Sequence, residues 1–152
     1  MRVLAVVFAA AALLPAQEAK PASSYRVQIA VHESEAGKRL STRNYSMLLG
    51  TERGRLNVGS RMATPSGGGQ FQFTDVGATL SLQIHEQEGD PLLNGQIEFT
   101  LPKQEPNAPT NTNRFQLQVN APVPAGKAVP LADFDDVGNR RFLVEATVTR
   151  VR

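Results

Sequence analysis

The stretch from Tyr25 to His32 reads YRVQIAVH and places an apolar side chain at every second position. The apolar set is Tyr25, Val27, Ile29 and Val31. Successive side chains of a strand point to opposite faces, whereas a helix needs apolar residues at intervals of three and four. The stretch therefore predicts a strand with one buried face and one wet face, which is typical of an antiparallel sheet.

The same two-residue period recurs along the chain, in residues 55–58, 70–74, 79–85, 96–101, 114–119 and 142–149. Turn-forming residues separate these runs, at 35–38, 50–54, 66–69 and 88–91. We interpret Pro102 to Asn113 as a mobile surface loop between two hairpin strands, and Pro122 to Pro130 as an extended edge and turn. Short strands at spacings of about 8–12 residues predict an all-β fold, an antiparallel β-sandwich or small barrel-like sandwich of about eight strands.

The N-terminal residues predict export. Arg2 precedes the uncharged apolar run Val3–Leu14, which is shorter than the roughly 20 residues of a transmembrane helix, and the small residue Ala16 follows. We therefore interpret residues 1–16 as a cleaved signal peptide, with cleavage after Ala19 as the alternative. Residues 17–24 would form a flexible leader and residues 25–152 a single β domain in the periplasm or outside the cell.

Charge and composition exclude several classes of protein. The formal net charge is +2, and loss of Arg2 with the signal peptide would leave it near +1. Because acidic and basic residues are interspersed, we expect no nucleic-acid partner. One modest basic cluster is interpreted as the solvated face of one hairpin: Arg39, Arg43, Arg53, Arg55 and Arg61.

Cysteine and the aromatic residues limit attachment and stabilisation. The chain has no cysteine, so neither a disulfide nor a lipid thioether is available, and core burial must stabilise the domain. It has seven Phe, two Tyr and no Trp. Phe8 lies in the predicted signal peptide, and most other phenylalanines take inward strand positions, which leaves no aromatic girdle. We therefore expect no integral membrane protein after signal cleavage.

Candidate reactive residues are few and scattered. His32 and His85 take polar strand positions, and they would meet only if their strands were neighbours. Asp133, Asp135 and Asp136 could offer oxygens to calcium, but they also suit a polar turn before the last strand. Residues 66–69 lack the lysine of a phosphate loop and suit a hairpin tip. We predict no catalytic residue, no cofactor-binding residue, no metal ligand and no enzymatic activity.

Two segments carry a family resemblance. Asn57–Pro65 reads NVGSRMATP, and Phe71–Ile84 reads FQFTDVGATLSLQI. Their order of features resembles the β domain of the outer-membrane secretin family, the channels of type II and type III secretion and of type IV pili. The step Asp75–Gly77 is the most specific piece, and we interpret it as a glycine-permitted bend that redirects one strand into the next.

A looser similarity covers Val123–Pro130 and Arg141–Val148. Secretin subunits are far longer, carry periplasmic ring modules that these residues do not resemble, and have a glycine-rich gate pattern that is missing around residues 128–136. The resemblance therefore implies a small exported relative of the secretin β scaffold, linked to secretion or pilus machinery.

Three functions remain open from the sequence. The first is a non-enzymatic envelope module that presents an edge strand or the Pro102 to Asn113 loop to a protein partner or to another copy of itself. The second is a soluble periplasmic carrier that holds a ligand between its sheets or inside a small barrel. The third, the least supported, is a metal-assisted hydrolase using His32, His85 and nearby carboxylates.

Overall fold

The computed structural model describes residues 23–50, 52–65, 68–86, 89–103, 111–136 and 139–151. The predicted signal peptide and almost all of the predicted leader lie outside these ranges. No helix among the described residues has the length and apolar character needed to cross a membrane.

The described residues form eight strands: β1 (Ser24–Glu35), β2 (Lys38–Leu49), β3 (Gly54–Pro65), β4 (Phe71–His85), β5 (Leu92–Lys103), β6 (Asn111–Pro122), β7 (Ala128–Asp135) and β8 (Arg140–Val151). They form two four-stranded sheets, with the order β2-β1-β8-β7 in the first and β3-β4-β5-β6 in the second. Every pair of neighbouring strands is antiparallel. The predicted all-β antiparallel sandwich is confirmed.

The core lies between the two sheets and follows the predicted alternation. Val27, Ile29 and Val31 on β1 are buried, while the alternating positions Arg26 and Gln28 are exposed. Phe99 of β5 is among the largest fully buried side chains. These side chains occupy the space in which a carrier would hold a ligand between its sheets.

Three elements differ from the sequence prediction. Strand β2 was missed because its inward positions include the polar residues Ser41 and Arg43, which interrupt the apolar period. The runs 70–74 and 79–85 belong to one continuous strand, β4. The predicted loop is shorter than Pro102 to Asn113, because β5 extends to Lys103 and β6 begins at Asn111, and residues 104–110 lie outside the described ranges.

The Pro122 to Pro130 segment agrees with its prediction as an edge and turn. Strand β6 ends at Pro122, a turn follows at Ala125–Gly126, and β7 forms one edge of the first sheet. Val123 is fully buried and its amide donates to the carbonyl of Pro91 at 2.9 Å, which ties the turn to the start of β5.

The folded structure raises the pKa of the phenol groups of both tyrosines, Tyr25 and Tyr45. The hydroxyl of Tyr25 donates to Oε1 of Glu86 at 2.8 Å, which joins β1 to the end of β4. Burial, followed by this hydrogen bond and the Glu86 charge, raises the pKa of Tyr25. Burial raises the pKa of Tyr45 as well, since its ring packs against Phe99 with centroids 6.0 Å apart.

We expect the domain to lose stability at alkaline pH. Both phenols have a folded-state pKa above the usual 10.0. The stability that they give the fold is therefore complete below pH 10.0 and is lost as the pH rises through the folded-state pKa values. Ultraviolet titration of tyrosinate should give a higher midpoint for the native protein than for the protein in denaturant. Equal midpoints would contradict the expectation, and Tyr25→Phe should lower the alkaline sensitivity.

Candidate interaction site at the β4–β5 fork

Strand β4 pairs with β3 from its first residue, but with the described residues of β5 only from its middle. It pairs with β3 from Phe71, opposite Pro65, to Leu82, opposite Gly54. Its pairing with β5 begins only at Gly77, opposite Thr100. We call this divergence the fork, formed by residues 75–77 of β4 and residues 100–102 of β5. Beyond it, residues 59–65 and 71–77 form a projecting hairpin, in which residues 74–76 of β4 do not pair with the described residues 101–103 of β5.

The divergence has a local chemical cause. If the β4–β5 register continued, Asp75 would face Pro102, since Gly77 faces Thr100. Proline has no amide hydrogen and cannot donate to a neighbouring strand, so pairing at this point would lose a hydrogen bond. Pro102 stays paired on its other side, where it lies opposite Thr112 of β6. Strand β5 therefore stays with β6, and β4 stays with β3.

A pair of glycines lies where the hairpin departs. Gly59 and Gly77 face each other across β3 and β4. A Cβ on Gly77 would come within 2.1 Å of the carbonyl oxygen of Val58, and the φ of Gly77 is +151°, which side-chain-bearing residues rarely adopt. The close backbone approach therefore requires glycine at position 77. This differs from the predicted role of the Asp75–Gly77 step, because Gly77 lies inside β4 and does not join two strands.

Apolar side chains lie on both faces of β4 around the fork. Ala78, Leu80, Leu82 and Ile84 point into the core and are buried. On the projecting hairpin the half-buried Val76 keeps this inner face, whereas Phe71 and Phe73 lie on the opposite face and are 61% and 62% exposed. They are therefore exceptions to the predicted inward phenylalanines.

The fork opens a depression on each face of the sheet. On the inner side a space of about 330 Å³ lies beside Arg43 and Tyr45 of β2, with Leu101 and Pro102 of β5 as another wall. On the outer side a space of about 260 Å³ is lined by residues including Asp75, Thr79 and Glu98. The facing glycines line both depressions, because they have no side chains to fill either one.

A largely buried carboxylate holds the arginine at the inner depression. Oε1 of Glu33 accepts from Nη1 of Arg140 at 2.8 Å, and Oε2 accepts from the hydroxyl of Ser41 at 2.9 Å. Nη1 of Arg43 also lies 3.5 Å from that second oxygen. The cluster joins β1, β2 and β8 and holds the cationic side chain of Arg43 beside the inner depression.

The structure does not bring the two histidines together. His32 lies on the first sheet. Its Nδ1 is 3.0 Å from Oγ1 of Thr42, and its Nε2 is 3.0 Å from Oε2 of Glu145. His85 is exposed at the end of β4 on the second sheet, next to Glu86, which accepts a hydrogen bond from Tyr25 of β1. No group of three or more potential metal ligands occurs among the residues that the structure describes.

Asp133 and Asp135 both face Arg141, whereas Asp136 has another partner. Asp133 accepts a two-pronged hydrogen bond from Arg141, with Nε 2.7 Å from Oδ1, and this bond lowers the pKa of the carboxyl. The carboxylate of Asp136 accepts a hydrogen bond from the side-chain amide of Asn113. Asp135 is exposed opposite Arg141. This arrangement resembles the predicted polar turn more than a calcium site.

The basic cluster is divided between the sheets and does not line one hairpin as predicted. Arg39 and Arg43 lie on β2, whereas Arg55 and Arg61 lie on β3, which is not hydrogen-bonded to β2. Sequence spacing could not show this, because β2 and β3 follow each other in the chain but belong to different sheets. The fork was not predicted either, because it depends on which strands lie beside β4. Gly77 was nevertheless recognised as part of an unusual step in the sequence.

Substitution of the fork glycine should destabilise the domain. We expect Gly77→Ala to cost about 2 kcal/mol or more, because the added methyl group meets backbone atoms and the φ is strained. Gly50→Ala is the matched control, since a Cβ there meets no atom within 4 Å and no positive φ is involved. Thermal unfolding of both variants checks this, and equal melting temperatures would contradict it.

The Glu33 cluster should be more important for stability than an exposed ion pair. We expect Glu33→Ala to lower the free energy of unfolding by about 1–3 kcal/mol, because it leaves two partly buried arginines without their acceptor. Asp75→Ala breaks only the exposed pair with Arg61 and should have almost no effect. Denaturant unfolding measures both, and a larger effect of Asp75→Ala would refute the assignment.

Comparison with known structures finds secretins. The T2SS secretin XcpQ from Pseudomonas aeruginosa matches with a TM-score of 0.54 and 12% identity, over 90% of this chain and 61% of that one. ExeD of Aeromonas hydrophila matches with a TM-score of 0.51 and 12% identity, over 86% of this chain and 48% of that one. The type II secretin GspD of enteropathogenic Escherichia coli matches with a TM-score of 0.50 and 11% identity, over 86% of this chain and 66% of that one.

The chain therefore spans less than two thirds of each of these secretin chains. No protein-family model matches the sequence, and no curated protein matches it significantly. At these identities the likeness concerns the fold. The predicted resemblance is confirmed: this chain resembles the secretins in the fold of its β domain.

Proposed function

We propose that this chain is an exported, non-enzymatic module of the cell envelope, linked to secretion or pilus machinery, that assembles with further copies of itself through the fork. The observation that carries the proposal is the edge of β4 at residues 74–76, which pairs with no described residue of β5, on a secretin-like fold. Export rests on the signal peptide predicted in residues 1–16.

An unpaired edge offers backbone donors and acceptors to another strand, which is how strand addition joins two chains. The edge of β4 from Phe71 to Val76 is well suited, since no proline or charged residue other than Asp75 interrupts it. The edge of β7 is less suitable, because it contains Pro130 and an irregularity between Pro130 and Ala132.

The scattered reactive groups support a non-enzymatic role. His32 is engaged with Glu145 and Thr42, the carboxylate of Asp133 is held by Arg141, and His85 lies on the other sheet. Catalysis needs an acid, a base or a nucleophile converging on one space. The described lining of the depressions at the fork contains no histidine, and the two carboxylates of the outer depression, Asp75 and Glu98, are each paired with an arginine.

Light scattering of the processed protein tests the assembly. We expect the wild-type mass to be a multiple of the monomer mass and Thr74→Lys to shift it to the monomer, because a charged side chain on an edge strand opposes strand addition. The matched control is Thr149→Lys, an exposed position on β8, which lies between β1 and β7. It should leave the mass unchanged.

A wild-type protein that stays monomeric up to about millimolar concentration, where even weak contacts form, would contradict the proposal. A Thr74→Lys variant with the wild-type mass would show that assembly uses another surface.

A further inference from the structure

The outer face of the second sheet consists mainly of amides and hydroxyls. Nε2 of Gln118 donates to Oε1 of Gln96 at 3.3 Å, and Nδ2 of Asn94 lies 3.5 Å from Oδ1 of Asn120. Thr79 and Ser81 of β4 continue this pattern, because Ser81 pairs with Gln96 in the register. Such a face both donates and accepts hydrogen bonds without a net charge.

Two ion pairs lie on this face. Nη2 of Arg114 lies 2.8 Å from Oε1 of Glu98, and Nε of Arg61 lies 3.0 Å from Oδ1 of Asp75. A polyanion such as a nucleic acid needs an excess of several basic residues, whereas this face adds only Arg55 to the two pairs among the described residues.

Two depressions on this face join into one trough. The outer depression at the fork shares Thr79 and Glu98 with a neighbouring space of about 240 Å³, which is also lined by Arg55, Ser81 and Gln96. We call the combined surface the trough. Gly59 and Gly77 lie at one end of it, and its other end is polar.

Two exposed aromatic rings extend the trough. Phe71 and Phe73 take the same face of β4 as Thr79 and Ser81, since all four positions have the same parity. From Phe73 to Ser81 the strand covers about 26 Å at roughly 3.3 Å per residue. The surface is therefore long enough for an extended oligomer and combines apolar rings with hydrogen-bonding groups.

We propose that the trough and its two phenylalanines bind an extended, uncharged polysaccharide. Sugar rings present C–H faces that stack on aromatic rings, and their hydroxyls both donate to and accept from amides. A peptide strand would need a free backbone edge, but at Thr79 and Ser81 the strand β4 is paired on both sides. A lipid surface would need apolar residues along the trough, where the lining is mostly polar.

Titration of the protein with hexamers of β-1,4-linked N-acetylglucosamine and of β-1,4-linked glucose, followed by amide NMR, tests the proposal. We expect shifts at Thr79, Ser81 and Gln96 with at least one hexamer. Phe73→Ala and Gln96→Ala should each weaken binding by about fivefold. Leu48→Ala is the matched control, because Leu48 is 65% exposed on the first sheet and should have no effect.

Three results would overturn the proposal. One is the absence of shifts with both hexamers up to about 10 mM, a range that captures weak ligands. A second is hexamer binding that neither Phe73→Ala nor Gln96→Ala weakens in a folded protein. The third is a failure to bind sugar together with binding to phosphatidylglycerol vesicles that Phe73→Ala removes, which would assign the rings to a lipid surface. Thr74→Lys separates this site from assembly, because it should change the mass and leave sugar binding intact.

Discussion

A strand must turn alternate side chains to opposite sides, and this constraint organises the whole molecule. Where two sheets cover each other, the constraint sorts Val27, Ile29 and Val31 into the core and their neighbours into water. With no cysteine in the chain, this burial and a few polar clusters must stabilise the domain. The Glu33 cluster is one of them, and it joins three strands of the first sheet.

At the fork, the alternation of side chains no longer places every large apolar residue in the core. Strand β4 begins before the first of its residues that pairs with described residues of β5, and this first part forms the projecting hairpin with β3. Val76 keeps the inner face there, whereas Phe71 and Phe73 lie on the opposite face and are exposed to a ligand. One structural event thus produces both proposed surfaces: an unpaired strand edge for another copy of the chain, and an aromatic end to the polar trough for a polysaccharide.

Prediction of the site from sequence succeeded only in part. The Asp75–Gly77 step was recognised as special, and it does lie at the fork. Its interpretation as a bend between strands was wrong, because the runs on either side of Gly77 form one strand. The pairing of Gly59 with Gly77 depends on the register of the hairpin, and the proximity of Pro102 depends on which strand lies on the other side. Neither is a local property of the chain.

The sequence by itself determined the strand-rich class of the fold, most of the core and the likeness to secretins, because alternation and turn residues act over a few positions. Only the tertiary structure decided the strand order, the separation of Arg43 from Arg55 onto different sheets, and the exposure of Phe71 and Phe73. Alternation tells which side chains share a face. Whether that face is covered depends on strands that are distant in the chain, and only folding brings them together.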